Sequence, residues 1–453
     1  MRNSRLHLTV TAVAILGLIQ ALATDTAIAG GFSLFVESGA ASVGNAQAGS
    51  AALAEDATTV FFNPAGLTRL QGRQLSMVGS GVRPSANFSN FGSTSAIPAI
   101  PLSGSNGGDA DSWAFVPAAF YVTDVTSRLK FGMGLNAPFG LKTEYDEGWV
   151  GRYHALKSEL ETISITPALA LKVNDAVSLG VGFIAERARA ELTKAIDFGA
   201  ACFGSAFGPA ACAAAGILPQ TKDGKVKVEG DDWGFGFSLG ALFQVAPSTR
   251  IGLAYRSKIT HDISGDATFT NPVLPGPFAQ LTSTPATTNT SAQASVTLPE
   301  VLSISAVSQI SPKWSLLGDV TWTNWSRFKE LRVRFGNGAP DSVTTENWHD
   351  TVRLAAAVNY QASDVWKLRA GWAYDPTPVK DKFRTPRIPD EDRVWLSFGT
   401  NVKIAAASSL DFAYAHLFVK EASINDTASG AGALRGSYDN HVDVVTAQLN
   451  YRF

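Results

Sequence analysis

Apolar and polar residues alternate with period two through most of this chain, and the alternation runs to its last residue. Val445, Ala447, Leu449, Tyr451 and Phe453 share one face of the final segment, and Thr446, Gln448, Asn450 and Arg452 share the other. Successive side chains of a strand point to opposite faces, so this segment is a strand with one apolar and one polar side. A soluble domain has little reason to end on an exposed Tyr-Arg-Phe. The closing strand of a transmembrane barrel does, because one side meets lipid and the other the lumen. The same pattern predicts fourteen strands, near 72–89, 111–124, 128–142, 159–173, 176–194, 230–245, 249–266, 296–310, 313–335, 348–361, 365–378, 391–404, 409–421 and 440–453.

The connections carry more weight than any one strand. Short turns follow every second strand: Asp124 to Ser127, Val173 to Asp175, Ala246-Pro247-Ser248, Ser311-Pro312, Ala362-Ser363-Asp364 and Ala405 to Ser408. Between them lie long segments near 90–110, 143–158, 195–229, 267–295, 336–347, 379–390 and 422–439. Short periplasmic turns alternating with long extracellular loops are how outer-membrane barrels are built. The ninth strand tests this by length. Trp314, Leu316, Gly318, Val320 and Trp322 share a face, with Leu317, Asp319 and Thr321 opposite. The two tryptophans are about 26 Å apart along a strand, which at the usual tilt crosses roughly 20 Å of bilayer. Asp319 is then expected in the lumen. In the sixth strand Trp233, Phe235, Phe237, Leu239, Ala241 and Phe243 alternate with Gly234, Gly236, Ser238 and Gly240. Which of these two faces meets lipid is left open by the pattern.

The N-terminus agrees with export. Arg2 and Arg5 precede an apolar run over 8–23, and Ala27-Ile28-Ala29 has the small residues of a cleavage site before Gly30. The expected organisation is a signal peptide over 1–29, a hatch over 30–70 that does not alternate, and an all-β barrel over 71–453. A fourteen-stranded lumen is too wide for side chains alone to fill, which favours a plug. Hydrophobic residues make up 45% of the chain and charged residues 17%. The uncharged stretch 199–218 is mostly Gly and Ala with Pro209 inside, a poor membrane helix. A membrane chain without spanning helices must close a barrel, since lipid offers backbone groups no partner. The net charge of −2 leaves no basic patch for nucleic acid. His154, His261, His349, His416 and His441 sit in no catalytic or metal-ligand spacing, so neither an enzyme nor a cofactor is expected. Cys202 and Cys212 in an exported chain favour a disulfide.

The ending is similar to the C-terminal aromatic signature of bacterial outer-membrane proteins, which implies the barrel-assembly machinery as a partner. Further motifs extend the likeness. They are Gly31-Phe32, Asn63-Pro64-Ala65, Trp233-Gly234-Phe235-Gly236, Tyr255-Arg256-Ser257 and Leu298-Pro299-Glu300. Trp325-Ser326-Arg327-Phe328 and the run from Ile388-Pro389-Asp390 to Trp395-Leu396-Ser397 complete the set. In this order and spacing the chain resembles the FadL family of outer-membrane transporters. The resemblance implies a fourteen-stranded barrel with an N-terminal hatch, and passive uptake of long-chain fatty acids or, in the TodX branch, aromatic hydrocarbons. A general porin and a structural or adhesive barrel are the rival readings. The barrel is expected to be a monomer among outer-membrane lipid and lipopolysaccharide, with a hydrophobic small molecule as ligand.

The resemblance also implies a site. Phe32 matches the family residue that reaches the ligand, and Lys194 the basic residue that meets its carboxylate. A second family basic position falls on Thr344, a departure, with Arg332 and Arg334 nearby but unmatched. Phe203, Phe207, Ile217 and Leu218 in one loop and Leu274 and Phe278 in the next would form the first capture groove. Exposed apolar surface of that kind often marks a binding site, although these loops could simply pack on each other. Pro138 has no N–H, so the third strand must lose a ladder bond there, and Asn136, Phe139 and Gly140 flank it. The family has an inward kink at this place, contacted by Asn63, Pro64 and Ala65, which implies a lateral gate.

Overall fold

The computed structural model describes residues 31–97, 100–110 and 113–453; the expected signal peptide lies outside them. The chain builds a closed antiparallel barrel of fourteen strands around an N-terminal hatch. The hatch contains α1 (Ala40–Gly44), α2 (Ser50–Leu53) and α3 (Thr59–Phe62), followed by a 3-10 turn at Pro64–Arg69. The wall begins with β1 (Gln74–Asn90), β2 (Ala114–Asp124), β3 (Leu129–Asn136, resumed at Gly140–Glu144), β4 (Lys157–Lys172) and β5 (Val177–Asp197). It continues with β6 (Asp223–Ala246), β7 (Thr249–Arg256 and Ile259–Thr270), β8 (Thr290–Leu298 and Val301–Gln309) and β9 (Trp314–Thr323 and Glu330–Phe335). The last five are β10 (Ser342–Thr345 and Thr351–Gln361), β11 (Trp366–Asp375), β12 (Arg393–Ala405), β13 (Ser408–Val419 and Ala422–Ala428) and β14 (Gly432–Arg452). Closure is by β1 on β14, paired from Gln74↔Arg452 to Asn90↔Gly436.

Several strands are longer than their apolar alternation suggests. β6 starts at Asp223, β10 at Ser342 and β14 at Gly432, and β13 runs on to Ala428. These extensions stand above the lipid, where neither face need be apolar, and neighbouring ladders hold them. Asp197↔Asp223 and Lys225↔Thr270 pair β6 to β5 and β7 far outside the apolar band. On β5 the outward face carries Leu179, Val181 and Phe183, then Arg187 and Arg189. That change from apolar to charged marks where the strand leaves the hydrocarbon.

The bulky side of β6 faces outward: Trp233, Phe235, Phe237 and Leu239 are all exposed on the lipid side. Its bare side faces the hatch. A Cβ on Gly240 would lie 2.1 Å from Asn63 Oδ1, and one on Gly180 of β5 would lie 2.3 Å from the Ala65 nitrogen. Asn63 shapes this contact. Its Oδ1 accepts from Ala65 N at 3.0 Å, and its Nδ2 donates to Ala51 O and to Ala241 O of the wall. Pro64 follows at the first helical position, where a missing N–H costs nothing. The Asn63-Pro64-Ala65 turn is thus seated on β5 and β6, and it is residues 32–34 that meet the break in β3. Asp319 faces the lumen, buried and bound to Ser305 and Thr321.

Gly180→Val should unseat this turn at a cost of about 1–3 kcal/mol. We expect limited proteolysis to cut within 40–70 while the barrel keeps its heat-modifiable mobility on gels; an uncut hatch would contradict the seat.

Candidate ligand site

Phe32 lies at the centre of an aromatic cluster inside the barrel and is 2% exposed. Its ring meets Trp325 at 4.8 Å, Trp348 at 5.6 Å, Phe139 at 6.0 Å and Phe328 at 6.1 Å between centroids. Interruptions of the wall deliver these partners. Trp325 and Phe328 sit in the gap between the two segments of β9, and Trp348 in the corresponding gap of β10. Gly31 allows the approach. At φ 71 an added Cβ would stand 3.0 Å from both Trp325 and Trp348, and Gly31 N donates to Asp390 Oδ2 at 3.2 Å. Leu160 of β4, Ala188 of β5 and Val296 and Leu298 of β8 continue the same apolar cluster upward.

The roof is the 376–392 segment, which folds into the barrel mouth. Arg384 fixes it, donating to Glu391, to Asp390 O and to Ser423 O. Asn440 of β14 donates to Pro389 O, and Tyr145 to Pro386 O. Ile388 packs into the apolar cluster. Next to it, Arg387 donates to Ser158 Oγ at 2.8 Å, His154 O at 3.0 Å and Lys157 O at 3.3 Å. Lys194, near the outer end of β5, is half-buried. It lies well beyond Arg187 and Arg189, so it stands clear of the hydrocarbon. Burial, and then the charge of Arg387, lowers its pKa.

The wall itself breaks at Pro138. Asn136 pairs with Ser164 of β4, and an unbroken register would bring Gly140 to Leu160, but Gly140 pairs with Glu161. One extra residue therefore lies within 137–139, at Pro138 or beside it, and forms a bulge. Beyond Leu135 the ladder between β2 and β3 ends, and among the described residues 114–118 of β2 pair only with β1. The hatch takes up the inward-displaced part of β3. Leu34 N donates to Pro138 O at 2.8 Å, Gly140 N donates to Phe32 O at 2.9 Å, and Ser33 bridges Phe139. Leu34 and Val36 pack with Ala114 and Val116 of β2 behind the opening.

The family model for outer membrane protein transport proteins (OMPP1/FadL/TodX) matches residues 20–453. The chain belongs to this family. A Neisseria meningitidis serogroup B chain named only as an outer membrane protein is 33% identical over 89% of this chain and 91% of that one. A long-chain fatty acid transport protein of Salmonella typhi is 30% identical, with 90% and 91% covered. The crystal structure of a Pseudomonas aeruginosa FadL homologue superposes with a TM-score of 0.83 at 26% identity, covering 94% of this chain and all of that one. This is an outer-membrane barrel of a family of transport proteins, and the family is not a catalytic one.

Within this FadL-family frame, Phe32 and Lys194 lie along one lumen. Thr344 pairs with Leu331, which packs against the Phe32 cluster, so the position that departs from the family borders the same space. Arg332 and Arg334 do not substitute for it. Arg332 is bound to Glu330 and Asp341 on the outside, and Arg334 is exposed. Arg387 is the basic residue that sequence reasoning passed over. Only the folding of 376–392 into the mouth brings it near Lys194.

The mouth loops do pack on each other. Asp197 caps α4 (Phe198–Phe203), accepting from Ala200 N at 2.9 Å, and also accepts from Gln220 N at the far end of the loop. A disulfide joins Cys202 to Cys212 of α5 (Gly208–Ala214). Ile217 and Leu274 are fully covered in this small core, so they are not surface groups. Phe203, Phe207 and Phe278 are half-buried, with Phe207 and Phe278 rings 4.5 Å apart. Leu218 and Val273 are exposed.

Replacing both cysteines by serine should loosen this loop core by about 2–4 kcal/mol. Hydrogen exchange should rise over 198–222 and stay unchanged in the barrel strands; equal protection in the loop would show the disulfide is dispensable there.

Proposed function

We propose that this barrel is a passive channel for hydrophobic molecules, with long-chain fatty acids as its substrates. The mouth loops capture the ligand, which moves down against Phe32 with its head group at Lys194. It leaves sideways into the bilayer between β2 and β3. The observation that carries this reading is the ladder between β2 and β3 that stops at Leu135, with Leu34 and Val36 of the hatch packed against the freed edge of β2. A solute held at Phe32 is next to the same hatch residues that fill the gap, since Phe32 O and Leu34 N bind the displaced part of β3. Displacing them opens a path that avoids the plug below.

The energetics favour such a ligand. Each buried methylene contributes about 0.8 kcal/mol, so a long acyl chain can compete with the aromatic contacts that hold Phe32. The hatch, which fills the lumen, argues against a general porin. Thr344 in place of a basic residue supports a second reading in the same class, an uptake channel for alkanes or aromatic hydrocarbons.

Deleting Pro138 removes one residue from the bulge and restores the register of β3 on β4, and it should let β3 pair with β2 throughout. Uptake of a radiolabelled fatty acid by cells should fall to the level without the protein, while binding to the purified barrel persists. Normal uptake by a variant whose structure has a continuous wall would refute the lateral route. Lys194→Ala should weaken fatty-acid binding by about 1.5–3 kcal/mol, the scale of a charge-assisted hydrogen bond. An equal loss for the methyl ester would count against Lys194 as the carboxylate partner.

A further inference from the structure

Arg387 donates to Ser158 Oγ, Ser158 lies opposite Leu192 of β5, and Lys194 is the next residue on that lumen face, so two cations come together above Leu160 and Ala190 of the apolar cluster. The Lys194 ammonium makes no hydrogen bond or ion pair among the described residues, and the charge of Arg387 acts on it unfavourably. Arg387 spends its NH1 and NH2 groups on neutral acceptors, two carbonyls and the Ser158 hydroxyl. No carboxylate of the described residues lies within ion-pair distance of its guanidinium. Burial pushes Arg387 down to about 10, even though Glu346, Asp426 and Tyr145 act the other way. Those two acids are engaged elsewhere: Glu346 accepts from Trp348 Nε1 at 3.0 Å, and Asp426 pairs with His154 Nδ1 at 2.9 Å.

A half-buried cation pair with no carboxylate partner is unfavourable. It is relieved by whatever anion enters between the two groups. The apolar cluster directly beneath, with Ile388 adjacent in sequence to Arg387, fixes what the rest of that anion must be.

We propose that Arg387 is a specificity residue that works with Lys194 to bind the head group of a monoanionic amphiphile, a carboxylate on a long apolar chain. This rests on the transport reading above and narrows it. Arg387 comes from the 376–392 roof, a different element from the wall position occupied by Thr344, and supplies the charge that Thr344 lacks. Arg387 also ties the roof to β4 through Ser158, so an anion that draws its guanidinium inward pulls on the segment closing the mouth. Neutral hydrocarbons cannot discharge the pair and are selected against.

The test uses purified full-length protein, with palmitate and hexadecanol as probes and intrinsic tryptophan fluorescence as the readout, since Trp325 and Trp348 line the cluster. Arg387→Gln should weaken palmitate binding by about 10- to 100-fold and leave hexadecanol binding unchanged. Arg387→Lys should recover part of the palmitate affinity. Unchanged palmitate affinity in Arg387→Gln overturns the inference and leaves the transport reading standing. Parallel losses for palmitate and hexadecanol overturn it too, because Arg387 would then only hold the roof in shape. If the unaltered protein binds neither probe, the transport reading itself fails and this inference with it.

Discussion

Lipid offers a peptide group no hydrogen-bond partner, and the rest of this structure depends on that constraint. Fourteen strands satisfy it by pairing each with two neighbours, down to the β1–β14 seam. A wall built this way has no cheap exit for a ligand. The structure departs from full pairing next to β3, where Pro138 cannot donate and one extra residue shifts the register. The hatch compensates from inside. Phe32 O and Leu34 N bond the displaced segment, so the break is held by hatch residues rather than by a neighbouring strand.

The same partition of surfaces explains the hatch. Bulky side chains are spent on the lipid face of β6, and the lumen face keeps glycines. Backbone of the hatch then approaches backbone of the wall, and short helices pack where long side chains would not fit. Higher in the barrel the design reverses. Interruptions in β9 and β10 turn tryptophans inward, and these meet Phe32. The lower hatch is thus seated backbone to backbone, while Phe32 combines a backbone bond to the displaced part of β3 with a side chain packed among aromatic rings.

Period-two alternation made the strands legible wherever one face had to meet lipid, and the alternation of short and long connections made their number legible. The outer ends were not. In β6 and β14 the extensions carry charge on the outward face, at Lys225, Lys227 and Glu229 and at Arg435 and Asp439, so no apolar lipid-facing side marks them, and their partner strands show that they are strands. The apolar residues of the mouth loops were visible as a cluster. Their burial was not, because Ile217 and Leu274 come together only when two loops meet over the disulfide. Phe32 and Lys194 were singled out through the family resemblance alone; nothing local distinguishes a hatch phenylalanine or a lysine at a strand end. Arg387 was illegible for a related reason. Its neighbourhood is set by contacts from Ser158, Arg384 and Asn440, all remote from one another in sequence.

The central claim is the route by which a ligand leaves. It is tested most directly by photo-crosslinking a diazirine-tagged fatty acid to the protein in intact outer membranes during uptake, with the labelled residues mapped by mass spectrometry. The account predicts adducts at Phe32, on 136–140 of β3 and on the unpaired edge 114–118 of β2. Adducts that instead run down the hatch towards Leu53 and Glu55, with none on the edge of β2, would contradict it.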